Sequence, residues 1–366
     1  MKRILYLSRG GYIGGSQRQL HYLVTGIAGS YEPVIICSKD GHFVELLRSC
    51  GLHTQVLPLR PWRQFPAGLL RYFDAERLTR FAKEQDVALV HCSDLWMGNY
   101  MSRIAAKLGV PSVLHVRTPV AADKVRKYAC RKASAIIAIS PRIKQDLLGA
   151  GIDEDKITVI NDGVDIQAFR PDLTVDILKQ TFSSDDRLAI GIISRIDPSK
   201  RQLDFVRAAG QIIHSSTKNV AFFIIGEVHS HSYFGLIKQF IAENQLEKHV
   251  FFTGRREDMP QVLSSLDIIV SMSGGSVMFE AMACGKPVIS AGFSSPKTSV
   301  HIQNDITGLL VSSKETAELV AALTLLINSP QMRTRLGQNA RKWAEANFSY
   351  LDMAAKTRQI YQRLIG

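Results

Sequence analysis

A glycine pair in the second half of the sequence has the residue types of a phosphate-binding turn. Gly274 and Gly275 follow the β-branched run 268–270, which is typical of a buried strand. Residues 276–284 are predicted to form a helix, so the glycines expose N–H groups at its start, where phosphate oxygens bind. Glu280 is predicted one turn inside, where a carboxylate accepts hydrogen bonds from sugar hydroxyls. An ordinary βαβ turn with a solvated glutamate has the same pattern, and this segment alone leaves both interpretations open.

Two cations follow another predicted strand, 189–193. Arg195 and Lys200 lie between this strand and a predicted helix. In a doubly wound sheet the carboxyl ends of the strands meet at one edge, so we expect both cations to converge with Ser276 on one ligand. An arginine binds two phosphate oxygens at once, and a lysine adds a movable charge. Without the preceding strand, such a pair is typical of a solvated surface.

Several further segments of the chain match the pattern of one known protein family in both their order and their spacing. They resemble the carboxyl-terminal half of a retaining glycosyltransferase of family 4, which has the GT-B architecture. The amino-terminal segments 14–18 and 159–165 resemble the glycine loop of that family and the end of its first domain. The matching segments of the second half are Ser194-Arg195 with Lys200, 224–227, 250–254, 280–283 with 285–288, and 307–311.

The resemblance implies a fold and an activity. The fold class is α/β, with two Rossmann-like doubly wound domains that face each other across a cleft. The implied reaction moves a sugar from a nucleotide diphosphate sugar to an acceptor hydroxyl, with retention of anomeric configuration, in cell-surface polysaccharide or lipopolysaccharide assembly. The implied partners are a nucleotide sugar donor and a glycan or lipid-linked acceptor. No cofactor is expected, and no metal, because no Asp-x-Asp motif is expected to supply a metal site and the cations supply positive charge.

The resemblance also assigns roles to individual residues. Arg195 and Lys200 are expected to stabilise the diphosphate leaving group, and Glu280 to hold the ribose hydroxyls. The glycine turn adds backbone donors, and Gly254 with Arg255 is expected to meet the nucleobase. The predicted catalytic residues are Arg195, Lys200 and Arg117, and the predicted donor-binding residues are Gly14, Gly15, Gly254, Arg255, Gly274, Gly275, Ser276 and Glu280.

Two positions depart from the family pattern. Met272 stands where an acidic residue usually contacts the donor sugar, so Ser271 or Ser273 is the available hydrogen-bonding substitute. Arg117 stands where a histidine is common. Arginine stays protonated and does not act as a general base, but it can orient an acceptor phosphate or a donor carboxylate.

The succession of apolar runs and helical patterns predicts two βα domains. Seven strands are predicted in the first half, at 4–7, 33–37, 54–57, 88–91, 112–116, 135–138 and 158–160. We expect a first domain over 1–165, a polar linker over 166–186 and a second domain over 187–346. By resemblance, residues 347–366 form a helix that crosses back onto the first domain.

Composition and charge bear on location and partners. The 366 residues are 46% hydrophobic and 21% charged, no run is long enough to span a membrane, and the five cysteines have no close pairs. We therefore expect a cytoplasmic protein with reduced thiols. The net charge is +12, and residues 1–165 hold 23 basic against 15 acidic side chains. The basic residues cluster with aromatic rings at Arg60, Trp62, Arg63, Phe65 and Arg71, and by themselves at Lys124, Arg126, Lys127, Arg131 and Lys132.

These clusters suit the anionic inner face of the cell membrane, where we expect peripheral contact. A solvated basic face has the same sequence pattern. Two other classes of function remain open: a GT-B partner that binds nucleotide sugars but has lost catalysis, for which Met272 and Arg117 are the signs, and a nucleic-acid-directed protein, for which the net charge is the sign. A nucleotide-sugar epimerase has the same two-domain architecture, although Arg195 with Lys200 and the segment 280–282 favour a transferase.

Overall fold

The chain folds into two α/β units. The structure is a computed structural model, and it describes residues 1–61, 68–173, 176–182, 186–215, 218–291, 301–312 and 316–366, with the backbone alone at 68 and 69. Unit 1 comprises Met1–Gly163 and Tyr350–Gly366, and unit 2 comprises Val164–Ser349.

Unit 1 is built on a parallel sheet of seven strands within the described residues, in the order β3-β2-β1-β4-β5-β6-β7. The strands are β1 Arg3–Ser8, β2 Glu32–Cys37, β3 His53–Val56, β4 Val87–Cys92, β5 Ser112–Val116, β6 Ala135–Ala138 and β7 Ile157–Val159. The helices are α1 Gly15–Gly26, α2 His42–Ser49, α3 Gly68–Glu84, α4 Gly98–Leu108, α5 Ala122–Lys127, α6 Pro141–Gly149 and α14 Tyr350–Ile365. Each strand predicted in the first half is present, within two residues of the predicted bounds.

The sheet of unit 1 is buried on both faces, which explains its apolar strands. Leu5 of β1 pairs with Val34 of β2 on one side and with Val90 of β4 on the other. Leu5 and Leu7 belong to one hydrophobic core, while the alternate residues of the same strand belong to the core on the opposite face. A parallel strand with helices on both faces reads as a continuous apolar run.

Unit 2 repeats this plan with six strands in the described residues, in the order β10-β9-β8-β11-β12-β13. The strands are β8 Leu188–Ile193, β9 Val220–Ile225, β10 Val250–Gly254, β11 Ile268–Ser271, β12 Val288–Ser290 and β13 Gly308–Leu310. The helices are α7 Ile177–Thr181, α8 Gln202–Ser215, α9 His231–Glu243, α10 Met259–Ser264, α11 Val277–Ala283, α12 Thr316–Asn328 and α13 Pro330–Asn347. The strand order reverses between β8 and β11, where doubly wound sheets bind ligands.

The segment predicted as a linker, 166–186, is packed against unit 2 in its described part. Phe169 and Leu178 are buried in the core of that unit, and α7 forms inside the segment. Most of the described polar residues of the segment are exposed, as is Pro171, whereas Lys179 is largely buried and lies 3.4 Å from the Asp267 carboxylate. Ile177 and Phe182 also pack against this core, so several apolar contacts hold the segment on the unit. The division of the chain falls after Gly163 instead of after residue 165.

The carboxyl-terminal helix α14 belongs to unit 1 and packs on α1. The ring of Tyr350 stacks on Tyr22 with centroids 5.0 Å apart. A Cβ on Gly26 would lie 2.6 Å from Cβ of Ala354, so the close approach of these two helices requires a glycine there. Among the described residues, no helix has the length and hydropathy to cross a membrane.

Candidate functional site

The predicted site residues of unit 2 follow neighbouring strands. Because the strands are parallel, their carboxyl ends lie at one edge of the sheet. Arg195 follows β8, Gly254 ends β10, and the Gly274-Gly275 turn follows β11. The topology therefore places these residues at one edge of unit 2.

The loop that carries Arg195 is held by buried contacts. The side chain of Gln202, which is fully buried, donates hydrogen bonds of 2.8 Å to the Ser194 hydroxyl and to the Arg195 carbonyl. A Cβ on Gly226 would lie 2.0 Å from the Ser194 carbonyl oxygen, so the loop after β9 approaches as closely as a glycine permits. The guanidinium of Arg195 is exposed while its backbone is fixed. The sequence prediction missed Gln202, whose signal is a polar residue at the first position of an apolar helix.

Lys200 lies in a short 3-10 turn that begins after Asp197. The Asp197 carboxylate accepts a hydrogen bond of 2.9 Å from the Ser199 amide, and Pro198 occupies the first position of the turn. The Lys200 ammonium is half-buried and donates a 3.1 Å hydrogen bond to the hydroxyl of Ser273. Burial lowers the pKa of Lys200 below its usual 10.5, the nearby Arg195 lowers it further, and Asp197 opposes them. The two predicted cations therefore share one electrostatic environment.

The glycine turn beside Lys200 has the conformation that its sequence requires. Gly274 has a φ of +69° and Gly275 a φ of +131°, values that other residues rarely adopt. The space where a Cβ would lie on either glycine is open. Among the described residues, none accepts a hydrogen bond from the amides of Gly275 and Ser276. The turn thus presents backbone donors to open space next to an ammonium group.

Glu280 lies in the first turn of α11 and is buried, with 4% of its surface exposed. Its amide donates to the Ser276 carbonyl at 3.4 Å, which joins the helix to the glycine turn. Its predicted contact with ribose hydroxyls stays a prediction.

Gly254 and Arg255 lie further along the same edge. Gly254 has a φ of +69° and accepts a 2.9 Å hydrogen bond from the amide of Gly226, which links the ends of β9 and β10. The Arg255 side chain is exposed and lies 3.4 Å from the Glu257 carboxylate. Gly226, which bonds Gly254, also approaches the Ser194-Arg195 loop. The contact of Gly254 and Arg255 with a nucleobase stays a prediction.

Met272 lies in the hydrophobic core of unit 2. Its side chain is therefore directed away from the edge that carries Lys200, whereas the next residue, Ser273, contacts Lys200. Of the two serines that the sequence offered as substitutes for an acidic group, Ser271 is buried and Ser273 is half-buried. The structure thus favours Ser273 as the hydrogen-bonding residue of this segment.

Three predicted residues belong to unit 1. Gly14 precedes α1 and Gly15 begins it, and a Cβ on Gly14 would lie 2.9 Å from the Tyr12 ring. Arg117 directly follows β5 and forms a buried ion pair with Asp162, with side chains 11% and 12% exposed. Burial lowers the pKa of Arg117 to about 10, against the opposing effect of Asp94, so it is charged at neutral pH. Its charge is already compensated by Asp162, and a catalytic role for Arg117 stays a prediction.

A buried polar chain continues from Arg117 into the sheet. The guanidinium lies 3.4 Å from Nδ1 of His115, and this histidine lies 3.3 Å from Nε2 of His91. His91 is hydrogen-bonded to the Tyr361 hydroxyl of α14, which lies 3.1 Å from that of Tyr6. A lone histidine in a sequence is more often structural, which is the interpretation that the sequence favours for His91 and His115. The sequence does not reveal Asp162 or Tyr361 as partners, because the contacts of this polar chain join residues up to 355 positions apart.

No group of three or more histidine, cysteine, aspartate or glutamate side chains that could hold a metal ion occurs in the described part of the chain. The cysteines are free thiols, and all but Cys50 are buried. Burial raises the pKa of Cys37 and of Cys130 to about 12. Cys37 and Cys130 are therefore protonated core residues at neutral pH.

Comparison with known proteins gives one family for each unit. The family described as Glycosyltransferase Family 4 matches residues 13–168, and the family described as Glycosyl transferases group 1 matches residues 176–343. Together these matches cover most of the chain.

Relatives and solved structures agree with these matches. The UDP-Gal:alpha-D-GlcNAc-diphosphoundecaprenol alpha-1,3-galactosyltransferase of Escherichia coli is 24% identical over 307 residues, which cover 78% of this chain and 77% of that protein. A D-inositol 3-phosphate glycosyltransferase of Nocardia farcinica is 27% identical over 248 residues, 64% of this chain and 54% of that protein. The crystal structure of Anabaena HepE in complex with UDP-glucose has a TM-score of 0.87 at 22% identity and covers 100% of both chains.

The last likeness shows the fold, and it confirms the predicted GT-B class with its two Rossmann-like domains. The matched families confirm the resemblance that the sequence motifs indicated. This chain belongs to the group 1 and family 4 glycosyltransferases.

Proposed function

We propose that this protein transfers a sugar from a nucleotide diphosphate sugar to an acceptor hydroxyl, with retention of anomeric configuration and without a metal ion. The hydrogen bond between Lys200 and Ser273 carries the proposal, because it holds an ammonium beside the open Gly274-Gly275 turn. Arg195 adds a second cation at the same edge of the sheet. Two cations and the backbone amides of Gly275 and Ser276 together match the charge and shape of a diphosphate.

The chemistry assigned to these groups is stabilisation of the leaving group. As the bond between the sugar and the diphosphate breaks, negative charge grows on the departing oxygens and positive charge on the anomeric carbon. Arg195 and Lys200 stabilise the departing diphosphate, and preorganised groups of this kind each contribute about 3 kcal/mol. Glu280 holds the ribose hydroxyls, and Gly254 with Arg255 meets the base. Gly14 and Gly15 of unit 1 are assigned to donor binding through their backbone.

We assign the acceptor to the class of phosphorylated or lipid-linked glycans, in cell-surface polysaccharide or lipopolysaccharide assembly at the inner face of the membrane. Two of the relatives support this class: the name of one gives a diphosphoundecaprenol acceptor and that of the other an inositol phosphate. UDP-glucose, which HepE binds, is the first donor to test. The basic balance of residues 1–165 suits an anionic acceptor.

The proposal is tested by ligand-dependent unfolding, followed by product analysis. We expect UDP, GDP or one of their sugars to raise the melting temperature, since a ligand at about 100 times its dissociation constant stabilises by about 2.7 kcal/mol. Transfer is then measured with the stabilising donor, with and without EDTA, and the anomeric configuration of the product is read by NMR. An inverted product would contradict retention, and loss of transfer in EDTA would contradict metal independence.

A GT-B partner that binds nucleotide sugars without catalysis is the second candidate function. Burial of Met272 in the core and neutralisation of Arg117 by Asp162 favour it, because neither side chain offers the group usual at its position. This candidate predicts a donor-dependent rise in melting temperature with neither transfer nor hydrolysis of a labelled donor.

A further inference from the structure

Helix α3 of unit 1 carries exposed apolar side chains near its start. Leu70, Tyr72 and Phe73 expose 49%, 46% and 69% of their surface. A single exposed apolar residue is ordinary, but three within four positions form a patch of the kind that marks an interaction surface. We call these three residues the apolar edge.

Arg103 of the adjacent helix α4 connects the apolar edge to a basic cavity. Its guanidinium lies over the ring of Tyr72, 4.2 Å from the centroid. The same side chain lines a cavity of about 560 Å³ between α4 and the turn 130–132. Arg103 is therefore shared by the apolar edge and the cavity.

The cavity has the lining of an anion site. Arg103 and Lys132 contribute two cations, and Asn99, Ser102 and Ser134 contribute polar groups. No acidic side chain is among the described residues that line it. A phosphate ester matches this set, because arginine and lysine supply charge and hydrogen-bond donors to its oxygens.

The cavity continues into a basic surface. Residues 122–132 contain five cations and one acid, and most of the cations are exposed. Basic residues beside exposed aromatic and aliphatic side chains are typical of proteins that lie on anionic bilayers. Nucleic acid also attracts such charge and stacks on exposed rings, but Arg103 covers a face of Tyr72, which leaves Phe73 as the exposed ring of the apolar edge. Leu70, an aliphatic residue, gains from a bilayer interior and not from stacked bases.

We propose that the apolar edge and this cavity form a docking site for an anionic phospholipid bilayer. Leu70 and Phe73 enter the interface, and Arg103 with Lys132 holds the phosphate of one lipid headgroup. Ser112, the first residue of β5, lines the cavity, whereas Arg117 follows the other end of that strand. The cavity therefore extends from Asn99 at the start of α4 to Ser112 at the start of β5. The docking site assigns a defined surface to the membrane contact of the proposed function, and the inference rests on that function.

The test is co-sedimentation of the full chain with phosphatidylcholine vesicles that contain about one third phosphatidylglycerol, compared with vesicles of phosphatidylcholine alone. We expect binding to the anionic vesicles, weakened by salt. Phe73→Ser and Lys132→Glu should each lower the affinity about tenfold, because one removes an inserted ring and the other reverses a charge. The matched controls are Leu236→Ser and Lys342→Glu, which change an exposed leucine and an exposed lysine of unit 2 and should leave binding unchanged.

Three outcomes would overturn the docking site: no binding of the wild-type chain to anionic vesicles, equal losses in the controls, or salt-sensitive binding to duplex DNA without binding to vesicles. Lys132 is exposed, so its variant tests the surface even where Phe73→Ser lowers stability; melting curves of all variants check their folding. Each variant is also assayed for stabilisation by UDP. If UDP does not stabilise the wild-type chain, the result counts against the proposed function. If UDP stabilises the variants and their vesicle binding equals that of the wild-type chain, the result counts against the docking site alone.

Discussion

Lys200 donates a hydrogen bond to Ser273 at an Nζ–Oγ distance of 3.1 Å. The two residues are 73 positions apart in the sequence, but they follow β8 and β11, which pair side by side in the sheet of unit 2. The bond directs the ammonium towards the Gly274-Gly275 turn. It therefore determines where positive charge meets the exposed amides.

Replacement of Lys200 by alanine should remove both the stabilisation by UDP or GDP and most of the transfer activity. We expect kcat to fall about 100-fold, since one group that stabilises a leaving group contributes about 3 kcal/mol. Thermal shift and initial-rate measurements check this. The matched control is Lys238→Ala, which removes an exposed lysine of α9 that lies over Phe234 in the same unit. An unchanged response to nucleotide in Lys200→Ala would contradict the assigned role.

The rate of sugar transfer should fall at alkaline pH, and it should fall at a pH below the usual pKa of a lysine. Burial and Arg195 lower the pKa of Lys200 below 10.5, so the cation is lost as the pH rises through this lowered pKa. Replacing Arg195 by glutamine removes a like charge and should move the alkaline limb of the normalised kcat/KM profile to higher pH. An alkaline limb at the same pH in both proteins would show that Lys200 does not control it.

A side chain at Gly275 should weaken donor binding. Gly275 has a φ of +131°, so Gly275→Ala strains the turn at a cost of about 1–3 kcal/mol and shifts its amides. We expect a raised KM for the donor together with a lower melting temperature. The control is Gly235→Ala in the interior of α9, where the space for a Cβ is open and a gain of about 0.5–1 kcal/mol is expected. Equal behaviour of the two variants would argue against a special role for the turn.

The pair of Arg117 and Asp162 should be needed for the stability of unit 1. Removal of one partner leaves an uncompensated buried charge, so Arg117→Met and Asp162→Leu should each cost about 3–5 kcal/mol. The double variant should recover most of this loss. Denaturant unfolding of the three variants checks the prediction. If the double variant regains stability but not transfer, the charge pair also serves catalysis; additive losses would contradict the coupling.

The stability of unit 1 should fall in mild acid. Burial, with a smaller effect of Arg117, lowers the pKa of His91 from 6.5 to about 3, and burial also lowers that of His115. Between pH 6.5 and about 3 the unfolded chain binds a proton at His91 that the folded chain does not, and His115 acts in the same direction, so stability decreases as pH decreases. Melting curves from neutral to acidic pH measure this slope. His91→Gln should reduce it, whereas His231→Gln, at the exposed start of α9, is the control.

Much of the fold was predictable because its signals are local. Continuous apolar runs such as 189–193 identify buried parallel strands. The glycines at 274 and 275 identify a turn with positive φ, and this signal does not depend on residues elsewhere in the chain. Seven strands of unit 1 were therefore located from the sequence. Polar composition favoured a linker over 166–186, but it does not reveal that Phe169 and Leu178 are buried in the core of unit 2.

The motifs also predicted which residues of unit 2 share one edge. The loops that follow parallel strands lie at the same edge of the sheet, so the sequence alone predicts that Arg195, Lys200 and the glycine turn lie at one edge. Trp62, Arg63 and Phe65, predicted in a basic and aromatic cluster, lie outside the described residues. Arg60 of that cluster is paired with Asp74, so its charge is partly compensated.

Local patterns in the chain were thus sufficient for the strands, the glycine turn and the family, since each depends on residues close in sequence. Side-chain partners were not predictable in this way. Asp162 beside Arg117, Tyr361 beside His91, and Ser273 rather than Met272 beside Lys200 all depend on how strands and helices pack, because a hydrogen bond or ion pair requires atoms to meet within a few ångströms. Packing brings distant residues to that range, and no spacing along the chain encodes it.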